Sequence, residues 1–206
     1  MSAGTMLLLI AAILVFCGLL QRVLDRMHLT DRQALLIIGA MLIGTWLPNL
    51  RWGSFGISIG GAIIPLGVCV YLFIRADTSL ERWRTALGTV LTGGAVYALS
   101  ALLPGEAEAM PFDPMWLYGV CGGVIAWVIG RSRRAAFVCG VAGVLLADLV
   151  NAIVILMQGY RTQLILGGGG IADASVISGV IAVMMCELVG ETIERFVRAR
   201  MGGDDR

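Results

Sequence analysis

The chain has 206 residues, of which 58% are hydrophobic and 14% charged, with a formal net charge of +1 and a mean hydropathy of +0.89. A soluble domain of this size cannot keep so much apolar surface out of water, and a near-neutral charge gives nucleic acid no electrostatic foothold. What remains is an all-α polytopic membrane protein, whose first partners are membrane lipids and not nucleic acid.

Seven nearly charge-free stretches are each about the length needed to cross ~30 Å of hydrocarbon as a helix. They cover 5–24, 33–48, 59–75, 85–103, 114–130, 135–157 and 171–191. The first follows "MSAGT", which has no positive charge, and no small-residue cleavage site comes after it; it reads as a span and not a signal peptide. The connections are short, so 1–206 reads as one membrane domain, with 201–206 as a flexible tail. His28 lies among Arg26, Asp31 and Arg32 and reads as a solvated loop residue.

All the basic residues are arginines, and they alternate. Arg22, Arg26 and Arg32 lie between spans one and two, Arg75, Arg82 and Arg84 between three and four, and Arg131, Arg133 and Arg134 between five and six. Arg195, Arg198 and Arg200 follow span seven, whereas the other loops hold only Arg51 and Arg161. The positive-inside rule then puts the N-terminus outside and the C-terminus in the cytoplasm. Trp46, Trp52 and Trp116 fall near the outer interface, and Trp83 and Trp127 near the inner one, as an aromatic belt requires.

Two glycine-rich breaks precede spans three and seven. "RWGSFGISIGGAIIPLG" (51–67) and "YRTQLILGGGGIADASVISG" (160–179) each carry an arginine, an alternating strand-like piece, a glycine run and then a span. Glycine is a poor helix former, so each break predicts an unwound or re-entrant segment packed inside protein. Their corresponding positions suggest parallel repeats over 5–76 and 114–196, and paired broken helices point to a binding site in transporters. Gly119, Gly122, Gly123, Gly140 and Gly143 read as close helix packing.

Cys17, Cys69, Cys121, Cys139 and Cys186 lie within spans without Cys-x-x-Cys spacing. They read as small apolar residues, with no disulfide, metal site or cofactor expected. The carboxylates are more informative. Asp148 stands near the middle of span six and Asp173 after the second glycine run, both in apolar surroundings. An ionisable group inside a span is costly and functional by default. Asn151 lies on the same helix face as Asp148. Arg134 to Asp148 and Asp173 to Glu187 each span fourteen residues, about 21 Å of helix. With Glu187 at the inner boundary the aspartates are level, and the glycines let the chain dip in to bring Asp173 there. If the helix starts at the outer interface instead, Asp173 is a surface residue.

Two carboxyls in one site can share a single proton. One then activates water while the other polarises a carbonyl, which is peptide hydrolysis by an aspartic dyad. The same pair could load and release a proton during transport. The plain alternative is an aspartate that only clips helices together.

"ADLVNAIV" and "GIADASVIS" resemble the two catalytic stretches of GxGD intramembrane aspartyl proteases, the presenilin and signal-peptide-peptidase group. The resemblance implies Asp148 and Asp173 as the dyad, with Gly170 matching the first motif glycine. Ala147 stands where that family has tyrosine and Ala172 where it has the second glycine, and its Pro-Ala-Leu motif is missing from the last span. Pro65, in span three, is the candidate for that role. Supporting or substrate-contacting positions on this reading are Asn151, Gly169, Gly170, Ser175, Gly60, Gly61 and Pro65. "SIGGAIIP", "ADLVN" and "GGGGIAD", in this order, are also similar to a family of uncharacterised prokaryotic membrane proteins known only as a domain of unknown function. The expected activity is proteolysis of membrane-embedded peptides. A proton- or cation-coupled transporter and a non-catalytic assembly protein are the alternatives, and a homo-oligomer is left open.

Overall fold

The computed structural model describes residues 30–53, 55–102, 114–159, 164–169 and 173–201. It is mostly helical. Thr30 opens α1 (Asp31–Trp46) with a reciprocal capping box to Gln33. A hairpin follows, β1 (Leu50–Trp52) and β2 (Phe55–Ile57). Gly53, at φ +62°, supplies the left-handed backbone that its tight turn needs. Ser58 caps a π-helical turn, Ile59–Ile63, that runs directly into α2 (Ile64–Ile74). Pro65 accounts for the widened turn: its ring crowds the carbonyl of Gly61, four residues back, and it has no N–H to offer that carbonyl.

Thr78 starts α3 (Ser79–Leu102) by accepting the N–H of Glu81 at 3.1 Å. After α4 (Pro114–Gly130), Ser132 caps α5 (Arg133–Met157) by accepting the N–H of Ala135. β3 (Leu164–Leu166) and α6 (Ala174–Met201) complete the described chain. β2 is the middle strand of three, antiparallel to β1 and parallel to β3. The strand-like alternation in the two glycine breaks is thus real strand, which qualifies an all-α class. The breaks also join each other, with Phe55 opposite Leu164 and Ile57 opposite Leu166.

α5 is the central helix, touching α2, α3, α4, α6 and β3. Close contacts fix its registers. Gly88 and Gly93 of α3 approach Cys139 and Gly143, so α3 and α5 run the same way. A Cβ on Gly140 would lie 3.0 Å from the backbone nitrogen of Gly179, and Arg133 pairs with Glu187, so α5 and α6 are antiparallel. Gly119 and Gly123 fit against Ile177 and Ile181, Gly122 against Ser178 and Gly143 against Thr92, where any side chain would collide. These glycines bring backbones close, as the sequence suggests. The core lies between α2, α5 and α6, with Cys69, Leu72, Val138, Val141, Leu145 and Val183. Cys69, Cys121, Cys139 and Cys186 are free thiols.

Six helical segments match spans two to seven in place; span one, with His28 and Cys17, lies outside the described residues. Among the described helices, Ser79–Leu102 and Arg133–Met157 are long and apolar enough to cross a membrane. Arg32–Trp46, Ile59–Ile74, Pro114–Gly130 and Ala174–Gly190 are apolar but shorter. α3 begins six residues before the expected span. α6 runs on to Met201, so the helix continues well past the expected end of span seven.

Candidate functional site

One end of the bundle carries the sheet, the end of α5 and the starts of α2 and α6. Asp173 begins α6 there and is 6% exposed. Its Oδ1 accepts the N–H of Ser175 at 3.0 Å, as an N-cap does, and its Oδ2 accepts the N–H of Gly169 at 3.2 Å. One carboxyl therefore ties the glycine turn to the helix start. Gly167, at φ +66°, packs against the backbone of Gly61 and Ala62, so the turn also rests on the π-helical segment. Ser58 donates its N–H to the Leu166 carbonyl at 2.9 Å and accepts the Gly61 N–H on its side chain.

Ser175 is fully buried, and its hydroxyl donates to the Gly61 carbonyl at 3.4 Å. That carbonyl is the one Pro65 cannot serve, so Ser175 of one break completes the backbone of the other. Gly60 and Gly61 are buried, and a Cβ on Gly60 would lie 2.6 Å from the Met41 carbonyl oxygen and the Thr45 nitrogen of α1. Gly169, Ser175, Gly60, Gly61 and Pro65 thus belong to one connected region; Gly170 lies outside the described residues.

Asp148 is half-buried on α5. Arg133 with Glu187 and Gly140 with Gly179 set a register that brings Asp148 level with Asp173. Their neighbours Ala147 and Ala174 share one apolar cluster with Val96 and Val144. Asn151 is exposed, so it sits on the outer side of α5. Sequence reasoning missed Tyr118, which packs on the Ala147–Ala174 cluster. It comes from α4, where no local pattern marks it. Met115, also on α4, approaches Gly169.

The opposite end carries a second polar centre. Arg134, 8% exposed, donates to both carboxylate oxygens of Asp77 and, at 2.8 Å, to the Arg75 carbonyl. It pairs with Glu81 at 3.5 Å, and Glu81 in turn accepts the Ser132 hydroxyl at 2.7 Å and the Asp77 N–H at 3.1 Å. The sequence reading made Arg134 only a topology marker. Here it stitches the α2–α3 connection to the start of α5.

Residues 19–185 match the model of a protein family of unknown function, DUF1614, and the chain belongs to that family. No curated protein and no solved structure matches it.

Proposed function

We propose that the protein is an intramembrane aspartyl protease that hydrolyses membrane-embedded peptides with Asp148 and Asp173. The observation that carries this reading is the antiparallel register of α5 and α6, which makes the two aspartates level, with their neighbours Ala147 and Ala174 in one apolar cluster. On this reading Asp173, oriented by two N–H donors, takes a proton from water. The hydroxide so formed bonds to the scissile carbonyl carbon while Asp148 gives its proton to the carbonyl oxygen. The tetrahedral intermediate then collapses: Asp173 passes its proton to the amine nitrogen, Asp148 takes a hydroxyl proton back, and the C–N bond breaks to leave acid and amine.

The membrane placement belongs to the same proposal. Seven spans, an outside N-terminus, a cytoplasmic C-terminus and re-entrant glycine breaks are supported by the arginine alternation and by two helices of spanning length. Large apolar side chains facing outward, among them Leu36, Val70, Leu87, Val90 and Val128, suit a hydrocarbon surround. A second reading, a proton- or cation-coupled transporter, draws on a different observation. Two helix starts, capped by Ser58 and Asp173, meet across the β2–β3 pair, as broken helices do around transported solutes.

The test is purified protein incubated with a transmembrane model peptide, beside Asp148→Asn and Asp173→Asn. Cleavage by the parent and by neither variant is expected. No cleavage by the parent, with gradient-driven proton or cation flux in liposomes, would establish the transporter instead. Activity and flux both untouched by either substitution would leave the aspartates a structural clip.

A further inference from the structure

A pocket of about 480 Å³ opens beside the glycine turn, and no step of the proposed hydrolysis uses it. Thr45, Asn49, Arg51, Ser58 and the backbone of Gly168–Gly169 line it, with Leu47 and Pro48. Among the described residues that line it, Arg51 is the one charged group and none is a carboxylate. The pocket is therefore net positive and selects an anion. Its neutral polar groups can extend that recognition. The Ser58 oxygen already accepts the Gly61 N–H, which leaves its own O–H to donate, and the Asn49 amide adds two more donors.

The surroundings decide what sort of anion. Trp46, directly before Leu47, is 92% exposed; Leu50 and Trp52, on either side of Arg51, are also exposed. On the membrane reading these side chains lie at the bilayer interface, so the pocket opens among lipid headgroups. An amphiphile would use both, with its charged group on Arg51 and its chains along the tryptophans and leucines. The volume suits a headgroup and not a bare ion.

We propose that this pocket binds the phosphate of an anionic lipid headgroup. The inference rests on the membrane-embedded reading and not on the aspartate chemistry. It places a lipid against Gly168–Gly169, one hydrogen bond from Asp173, so the occupant borders the candidate site directly.

The test uses full-length protein in a maltoside detergent, melted with added phosphatidylglycerol, phosphatidylcholine or inorganic phosphate. Phosphatidylglycerol should raise the melting midpoint by roughly 5–10 °C at saturation, with phosphatidylcholine and inorganic phosphate giving little. Arg51→Gln should abolish the rise. Should that variant fold poorly, Asn49→Asp, which sets a negative charge in the same pocket, should also remove it. Asp148→Asn should keep the full rise, which separates this inference from the fate of the protease reading. Equal protection by inorganic phosphate would overturn the lipid assignment. An undiminished response in both pocket variants would overturn the site.

Discussion

The two ends of the helical bundle hold polar groups in opposite ways. At the arginine end, side chains neutralise one another: Arg134 lies among Asp77, Glu81 and the Arg75 carbonyl, and Arg133 pairs with Glu187. At the sheet end, an acid is held by backbone. Asp173 accepts N–H groups from Gly169 and Ser175, and the register of α5 and α6 sets a second acid, Asp148, level with it. Opposite charges in contact lower the energy of the fold and leave little chemistry to do. Like groups brought together, with their orientation fixed by amides, are arranged at some cost to stability, and such arrangements cluster at functional sites. On the proposed function, stability belongs to one end and chemistry to the other.

The sharpest way to break that assignment is to neutralise each end separately. Asp148→Asn should lower the rate of peptide cleavage by about 10²–10⁴-fold, the usual share of general acid–base catalysis, with little change in melting temperature. A variant that cleaves at the parental rate refutes the chemical half. Arg134→Met should do the reverse. It removes the buried guanidinium that pairs with Glu81 and Asp77 and should cost about 3 kcal/mol, the low end for a broken buried pair because Asp77 is largely exposed. Activity per folded molecule should stay unchanged, measured by cleavage rate against the folded fraction in a melt.

Smaller changes test how the sheet end is built. Gly167→Ala forces a side chain into positive φ and against the Gly61 backbone, and should cost about 1–3 kcal/mol. Ser175→Ala removes the donor to the Gly61 carbonyl and should cost about 1 kcal/mol. In a Pro65→Ala background position 65 regains an N–H, so the loss from Ser175→Ala should shrink. A double-mutant cycle with no coupling between 65 and 175 would show that the proline does not orphan that carbonyl.

How much of this was legible in sequence follows from what is local. The apolar runs of α4 and α5 announce themselves, and α4 has the expected bounds, 114–130. The start of α3 was missed because "SLERWR" is charged, although Thr78 and Glu81 already have capping-box spacing. The far end of α6 was missed for the same reason, since Arg195, Arg198 and Arg200 read as the charged flank after span seven. Asp148 and Asp173 stood out because carboxylates in apolar runs are costly. Their relative depth was reached by counting along two helices, and the Arg133–Glu187 pair supplies the fixed point for that count. Asn151 shows the limit of helix-face reasoning: three residues from Asp148, it is exposed while Asp148 is half-buried. Tyr118 and the partners of Arg134 come from distant parts of the chain, and no spacing rule connects them.

The pairing of β2 with β3 also sets an order of assembly. Phe55 meets Leu164 only after α2, α3, α4 and α5 have been made, and contacts so far apart in sequence form late. Until then β2 is an edge strand with its Leu164–Leu166 side open, and open edges recruit wrong partners. During synthesis, the region around Gly60 and Gly61 thus waits unfinished for the second glycine break. A chain stopped before Leu164 would expose that edge permanently, and its fate would be association with other chains through β2.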